Sequence, residues 1–161
     1  LLFYYAGSSN ISLRGGAMRG CASPCSIGKG VVLHESDKDV ATIITSGIMV
    51  DESLKAYEAL QAEGISVRVI DMFTWKPLDE ELVIKAAKET GAIVTAENHN
   101  VTCGLGSVVS NCLAKNCPTV QEFVGVQDLF GQVGPQDFLM DEYGLRAANI
   151  VAAVKKAISR K

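Results

Sequence analysis

The residues best suited to chemistry are Glu97 and His99, a carboxylate and an imidazole two positions apart that follow the apolar run 92–96. A pair of this composition could do acid–base work, because one group can take a proton while the other donates one. The alternative is that both side chains cap the end of a strand and form local hydrogen bonds. Since geometry has to separate these interpretations, catalysis by His99 is a hypothesis at this point.

Two glycines, Gly104 and Gly106, precede an apolar helical pattern and would let a ligand or another backbone come close. The dinucleotide-binding fingerprint needs a third glycine, where Val109 stands, and it should follow the first strand of its unit. No lysine of the P-loop type follows the glycines. Cys103 could be a nucleophile, although no neighbour in the sequence would activate it. We favour close packing of a helix on a sheet as the reason for the glycines.

Two other loops carry polar residues where strands are predicted to end. Ser46 and Gly47 precede a helix, whose N-terminus could hold an anion, but a plain turn with a serine near the cap is the interpretation we favour. In the second loop Trp75 and Lys76 precede Pro77, whose ring rigidifies the chain. Trp75 could face a partner domain or be anchored in a solvent-exposed loop, and both interpretations remain open.

The cysteine pattern does not support a metal site. Of the five cysteines, Cys21 and Cys25 have a spacing that a metal could use, but no second close pair supplies the other two ligands. His34 and His99 are isolated in the sequence. The odd number of cysteines favours reduced thiols, so we predict a reducing compartment, the cytoplasm.

Composition excludes several classes of function. The chain has 161 residues, of which 48% are hydrophobic and 20% charged, and this is typical of one globular domain. With a net charge of -3 and no block of basic residues, we predict no nucleic-acid partner. No apolar run approaches the roughly 20 residues that a transmembrane helix needs, so we predict no membrane partner.

The elements that must position the polar residues follow from hydrophobic periodicity. Apolar and β-branched runs predict five strands, at 31–34, 40–45, 67–73, 92–96 and 120–126. Apolar residues at helical spacing predict helices that contain residues 50–60, 82–87, 108–113 and 150–158, with a short helix between Pro135 and Gly144.

Alternation of strands and helices implies βαβ units, because parallel strands need helical crossovers. We therefore predict an α/β fold, a three-layer α/β/α sandwich on a mostly parallel five-stranded sheet with one antiparallel short strand. Only the polar turn 36–39 joins the first strand to the second, so we expect these two to pair. Residues 1–27 lack periodicity and are predicted to be a disordered linker or a leader of artificial origin, and residues 28–161 form the domain.

Ligands of open α/β sheets bind beyond the carboxyl ends of the strands. The sequence therefore predicts a crevice or small-anion site at this edge, formed by Ser46, Gly47, Glu97, His99, Gly104 and Gly106.

The order of four segments resembles the C-terminal domain of transketolases: 39–47, 67–79, 92–99 and 104–107. The most specific parts are 69–79 and 95–107, and the resemblance covers about residues 27–161. Cys103 stands where the family often has a glycine. The same domain occurs in 1-deoxyxylulose-5-phosphate synthase and in the beta subunits of 2-oxoacid dehydrogenases. Local sequence favours transketolase, in particular the split form whose C-terminal half is a separate subunit.

The resemblance implies part of a homodimeric enzyme that uses thiamine diphosphate and Mg²⁺ to pass a two-carbon unit between sugars. Other domains of that enzyme, or another subunit, hold the cofactor. We therefore expect no catalytic, cofactor-binding or metal-binding residue in this chain, whose implied role is to complete the dimer and shape the mouth of the substrate channel. A small-anion-binding regulatory module and a purely structural dimerisation domain are the alternatives.

Overall fold

The computed structural model describes residues 26–161, so Cys21, Cys25 and nearly all of the predicted leader lie outside the described residues. Within that range the chain forms five strands and five helices. The strands are β1 (Val31–His34), β2 (Ala41–Thr45), β3 (Val67–Asp71), β4 (Ala92–Asn100) and β5 (Val120–Val126). The helices are α1 (Met49–Ala62), α2 (Glu80–Thr90), α3 (Leu105–Asn116), α4 (Gln136–Glu142) and α5 (Ala147–Ser159). None of these helices is both long and apolar enough to cross a bilayer.

The strands form one sheet in the order β1-β3-β2-β4-β5. β2 to β5 run parallel, and β1 runs antiparallel to β3. The predicted fold class and the antiparallel short strand are confirmed, but the predicted pairing of β1 with β2 is wrong. β2 is buried along its whole length and lies between β3 and β4, whereas the alternately exposed β1 fits the edge of the sheet. Residues 35–40 carry the chain across β3.

Helices cover both faces of the sheet, and the buried side chains of each strand alternate between the two faces. One face packs against α1, α4 and α5, through a core that includes Ile43, Val69, Val94 and Ile150. The other face packs against α2 and α3, through a core that includes Ile44, Ile70, Ile93 and Val109. The three predicted layers are therefore present.

Local signals place α2 where the sequence predicts it. Asp79 accepts a hydrogen bond from the backbone N–H of Leu82 at 3.3 Å, which satisfies one of the free amides of the first turn. Gly91 ends the helix with a φ of 68°, in the left-handed region that glycine adopts at low cost. The side chains of Val83, Ala86 and Ala87 are buried against the sheet.

β4 is longer than the sequence predicts. The apolar run ends at Ala96, but the strand continues to Asn100, which pairs with Val126 after an irregular register. The strand continues through polar residues because its backbone still pairs with the neighbouring strand β5. Glu97 and His99 therefore lie within the last part of a strand rather than in a loop after it.

Candidate functional site

The carboxyl edge of the sheet brings together three of the segments that the sequence analysis singles out. Ser46 follows β2, and its Oγ accepts a hydrogen bond from Trp75 Nε1 at 3.2 Å in the loop after β3. The Trp75 ring meets His99 of β4 edge to face, with 6.0 Å between ring centroids. Trp75 also packs against the core under α2 and α3, so it is an anchored tryptophan.

The turn between β2 and α1 is already satisfied by its own backbone. The N–H groups of Met49 and Val50 donate to the carbonyls of Ser46 and Gly47 at 3.3 and 3.2 Å. Gly47 has a φ of 60°, which explains why the turn carries a glycine. Acidic side chains in the first turn of α1 further disfavour an anion here. This geometry is that of a plain turn between a strand and a helix.

Glu97 caps helix α3 from the neighbouring strand. Its Oε2 accepts a hydrogen bond from the Leu105 N–H at 2.7 Å, and its Oε1 accepts one from the Gly106 N–H at 2.8 Å. The first amides of a helix have no acceptor within the helix, and they carry partial positive charge. Because Glu97 occupies both amides, the N-terminus of α3 has the anion it needs inside the protein.

The two glycines of this loop make that capping possible. A Cβ on Gly104 would overlap Glu97 Oε2 and lie 2.6 Å from the Asn100 carbonyl. A Cβ on Gly106 would lie 2.6 Å from the Phe123 ring and 2.8 Å from Thr95 Oγ1. The glycines therefore serve close packing of α3 on β4 and β5, which is the interpretation that the sequence favours.

Glu97 and His99 do not form a joined acid–base pair. Glu97 is 1% exposed, and burial raises the pKa of its carboxyl, an effect that the two α3 amides partly offset. His99 is exposed, and its Nδ1 lies 2.9 Å from the carbonyl of the next residue, Asn100. The hydrogen bond of His99 is local, as the alternative interpretation expects, whereas Glu97 accepts its hydrogen bonds from amides of another element, α3.

Asp71 is a polar residue at the same edge that the sequence analysis did not single out. It ends β3 beside Thr45, its register partner on β2. Among the residues that the structure describes, Thr45 Oγ1 and Asp71 Oδ1 are buried without a hydrogen-bond partner. Burial raises the pKa of Asp71 to about 6. The signal in the sequence was a carboxylate at the end of the strand pattern 67–71, directly after the apolar Val69 and Ile70.

The described cysteines do not indicate metal or redox chemistry. Cys103, Cys112 and Cys117 are free thiols, and burial raises the pKa of Cys112. Cys103 has a φ of 66°, a backbone conformation for which glycine is the usual residue. In the part of the chain from 26 onward, no three His, Cys, Asp or Glu side chains are grouped as metal ligands would be.

A cavity of about 390 Å³ lies at the opposite, amino edge of the sheet. The side chain of Arg68 is 6% exposed there, with Nη1 2.5 Å from Glu89 Oε2. Its Nε lies 3.7 Å from Glu35 and 3.9 Å from Asp39. Three carboxylates therefore surround the Arg68 guanidinium, although its Nε is buried without a hydrogen-bond partner among the described residues.

Fold and site together define the class of protein. It is a three-layer α/β domain in which the Glu97 side chain accepts hydrogen bonds from helix amides at the carboxyl edge of the sheet. The family description "Transketolase, C-terminal domain" matches residues 28–150. The chain therefore belongs to the transketolase C-terminal domain family.

Several relatives match over most of the chain. The 6-deoxy-6-sulfo-D-fructose transketolase subunit SqwH of Clostridium sp. (strain MSTE9) is 47% identical over 135 residues, which are 84% of this chain and 41% of the relative. A solved structure described as "Split gene transketolase, inactive beta4 tetramer" is 44% identical with a TM-score of 0.80, and the match covers 89% of this chain and 46% of that one. The 1-deoxy-D-xylulose-5-phosphate synthase 1 of Geobacter sulfurreducens is 38% identical over 160 residues, which are 94% of this chain and 25% of the relative.

The chain thus spans less than half the length of these relatives. It matches one part of these longer proteins, and it is similar to a chain described as a split-gene transketolase.

Proposed function

We propose that this chain is the C-terminal domain of a thiamine-diphosphate-dependent transketolase, which transfers a two-carbon ketol unit between sugar phosphates. In such an enzyme the cofactor supplies the difficult chemistry, and the protein orients it. The role of this domain is structural and supports the dimer, so it contributes no catalytic residue. The likeness to a transketolase subunit and to a split-gene transketolase supports the assignment. The likeness to 1-deoxy-D-xylulose-5-phosphate synthase keeps that enzyme as an alternative, and a 2-oxoacid dehydrogenase beta subunit is a further one.

The capping of α3 by Glu97 is the observation that carries the non-catalytic role. A loop with two glycines at a helix N-terminus could bind a phosphate through backbone amides. Here the amides of Leu105 and Gly106 donate to Glu97, and its carboxylate would repel an anion. The described residues also lack a group of acidic side chains that could hold Mg²⁺. The residues at this edge therefore do not fit thiamine diphosphate or its metal.

We also propose that the domain works in the cytoplasm, within a homodimer that includes the remaining transketolase domains or a second subunit. The solved relative that assembles as a beta4 tetramer supports self-association of this kind of chain. On this proposal the reactive groups come from those other parts of the enzyme.

A domain replacement tests the proposal. Residues 28–161 would replace the matching segment of the 44% identical split transketolase, and ketol transfer would be measured after mixing with the rest of that enzyme. We expect the chimera to assemble and turn over, because the replaced segment supplies packing rather than chemistry. A chimera that assembles as the parent does and has no activity would contradict the assignment.

The same chimera tests whether the edge residues act in catalysis. We expect His99→Ala and Ser46→Ala to change kcat by less than about fivefold, since general acid–base catalysis contributes about 100- to 10,000-fold. A loss in that larger range, with assembly intact, would show that the domain is catalytic.

The alternative function is a small-anion-binding module. Ser46, which precedes Gly47, and His99 both contact Trp75 at the carboxyl edge. The exposed Lys76 follows Trp75 in the same loop. This function predicts that the melting temperature of the chain rises with sugar phosphate concentration until it saturates. Identical melting curves with and without sugar phosphates would exclude it.

A further inference from the structure

Three buried side-chain oxygens have no hydrogen-bond partner: Thr45 Oγ1, Ser53 Oγ and Asp71 Oδ1. In the part of the chain that the structure describes, Arg68 Nε at the opposite edge is the one other buried side-chain atom in this condition. Thr45 and Ser53 are 0% exposed. Native proteins rarely leave buried oxygens unbonded, so the three atoms together indicate a group that binds them.

Two of the three residues lie side by side on the sheet. Thr45 and Asp71 are register partners at the carboxyl ends of the parallel strands β2 and β3. Ile43 and Val69, two residues earlier on the same strands, pack in the core that α1 covers. Because side chains alternate along a strand, Thr45 and Asp71 face α1 as well.

Ser53 faces the same part of the sheet from α1. It lies four residues after Met49 and three before Ala56, both of which are buried in the core against the strands. Ser53 therefore belongs to the stripe of α1 that faces β2 and β3, on which this helix packs. Since α1 follows β2 and returns across the sheet to β3, its first turns lie near the carboxyl ends of these strands. The three oxygens thus face one small volume between the helix and the two strands.

The charge of Asp71 is not compensated by the protein. Burial is the cause that raises the pKa of its carboxyl, and among the described residues no charged side chain on β1, β2 or α1 acts against it. A buried carboxylate needs an opposite charge or a proton, because the charged form is poorly solvated there. Above the pH at which the proton leaves, a bound cation is the other way to neutralise it.

The three oxygens suit a cation that carries a single charge. Carboxylate and hydroxyl oxygens are ligands of hard cations. One carboxylate matches one positive charge, and the described residues hold no group of three His, Cys, Asp or Glu side chains for a divalent ion. Mg²⁺ also retains several bound waters, for which the interface of a helix with a sheet has little room. A water molecule would bond the same oxygens but would leave the charge of Asp71 in place.

We infer that Thr45, Ser53 and Asp71 form a binding site for a monovalent metal cation, Na⁺ or K⁺, that stabilises the packing of α1 on β2 and β3. The site does not depend on the proposed enzymatic function, because its residues belong to the fold of the domain itself.

Thermal unfolding of the full chain in NaCl, KCl and choline chloride at equal ionic strength tests the inference. Choline is too large to enter between a helix and a sheet, so it reports the general effect of salt. At about pH 8 the melting temperature is expected to rise with Na⁺ or K⁺ concentration and to level off about 2–5 °C above its value in choline chloride. At about pH 4 a proton occupies the carboxylate, so the three salts are expected to give the same melting temperature.

Three variants assign the effect to the site. Asp71→Asn removes the charge and is expected to abolish the difference between the salts. Thr45→Val replaces the hydroxyl by a methyl group, and the cation concentration at half-effect is expected to rise about 10-fold or more. Glu81→Gln is the matched control, because it removes a carboxylate that is 91% exposed, and it should keep the full difference.

Equal melting temperatures in the three salts at about pH 8 would overturn the inference, and so would a difference that persists in Asp71→Asn. If Asp71→Asn does not fold, the wild type decides the matter. A salt difference of the same size at about pH 4 and about pH 8 would show that Asp71 does not hold the cation.

Discussion

At the scale of single residues, the burial of Glu97 and its hydrogen bonds explain each other. It is a buried carboxylate, and both of its oxygens accept hydrogen bonds from the first amides of α3. Burial alone would make this charge costly, but the amides and the helix dipole stabilise it. A residue that looks like a general base in the sequence therefore acts as the cap of a helix.

Replacement of this carboxylate by an amide should destabilise the fold. In Glu97→Gln one oxygen can still accept a bond, but the new NH₂ group faces a backbone N–H, so a donor meets a donor. We expect the free energy of unfolding to fall by about 1–3 kcal/mol in urea titrations. The control Glu81→Gln changes a side chain that is 91% exposed, and it should alter stability by less than about 0.5 kcal/mol. Equal stability of both variants would contradict the capping role.

Asp71 should make stability depend on pH. Burial raises its pKa to about 6 in the folded state, above the usual 3.8. The folded chain therefore binds the proton more tightly than the unfolded chain, and the contribution of Asp71 to stability falls as pH rises from about 4 to about 6. Asp71→Asn removes the buried charge without changing the shape of the side chain. We expect it to stabilise the fold by about 2–3 kcal/mol at pH 8, and the gain should vanish below about pH 4.

Chemical unfolding of Asp71→Asn and wild type across this pH range measures the effect. A pH-independent difference between them would mean that Asp71 does not titrate in the folded state as its burial requires.

At the scale of elements, the sequence predicts the central parts of the fold well. The run 41–45 is β-branched after Ala41 and is buried throughout, and Asp79 and Gly91 mark the two ends of α2. These features are local, so the residues themselves carry the information. The partner of β1 is not local, because it depends on which strand has a free edge, and β2 has both edges occupied. The extension of β4 to Asn100 likewise depends on pairing with β5.

The candidate site also divides into features that depend on neighbouring residues and features that depend on contacts between distant elements. The sequence correctly predicts close packing at Gly104 and Gly106, since the loop lacks the third glycine and the lysine that nucleotide-binding loops need. It could not show that Glu97 reaches across to α3, because the residues that meet are eight and nine positions apart on different elements. It also gave little reason to single out Asp71, whose missing partner is a property of the packed protein.

The packing of α3 on the sheet should not tolerate a methyl group at Gly104. In Gly104→Ala the new Cβ would overlap Glu97 Oε2 and press on the Asn100 carbonyl, so α3 has to move away from β4. We expect a loss of at least about 2 kcal/mol in the free energy of unfolding. Gly131→Ala is the matched control, because no heavy atom lies within 4 Å of its Cβ position. Loss of stability of similar size in both variants would show that the contact at Gly104 is unimportant.

At the scale of the whole molecule, the domain has a hydrophobic core on each face of the sheet, and the two edges of the sheet differ in polarity. Both faces of the sheet are covered by helices, and the amino edge has a polar cavity where carboxylates surround Arg68. The carboxyl edge is where enzymes of this architecture bind ligands, and here its helix amides are used by Glu97 while apolar side chains remain exposed beside it. Such an edge suits contact with other protein surfaces.

The central claim is that this domain has no binding site of its own for the cofactor of its family. Isothermal titration calorimetry of the chain with thiamine diphosphate in the presence of Mg²⁺ tests it most directly. We predict no saturable heat of binding, because the α3 amides are taken by Glu97 and the described residues lack a set of metal ligands. Saturable binding with one site per chain would contradict the claim.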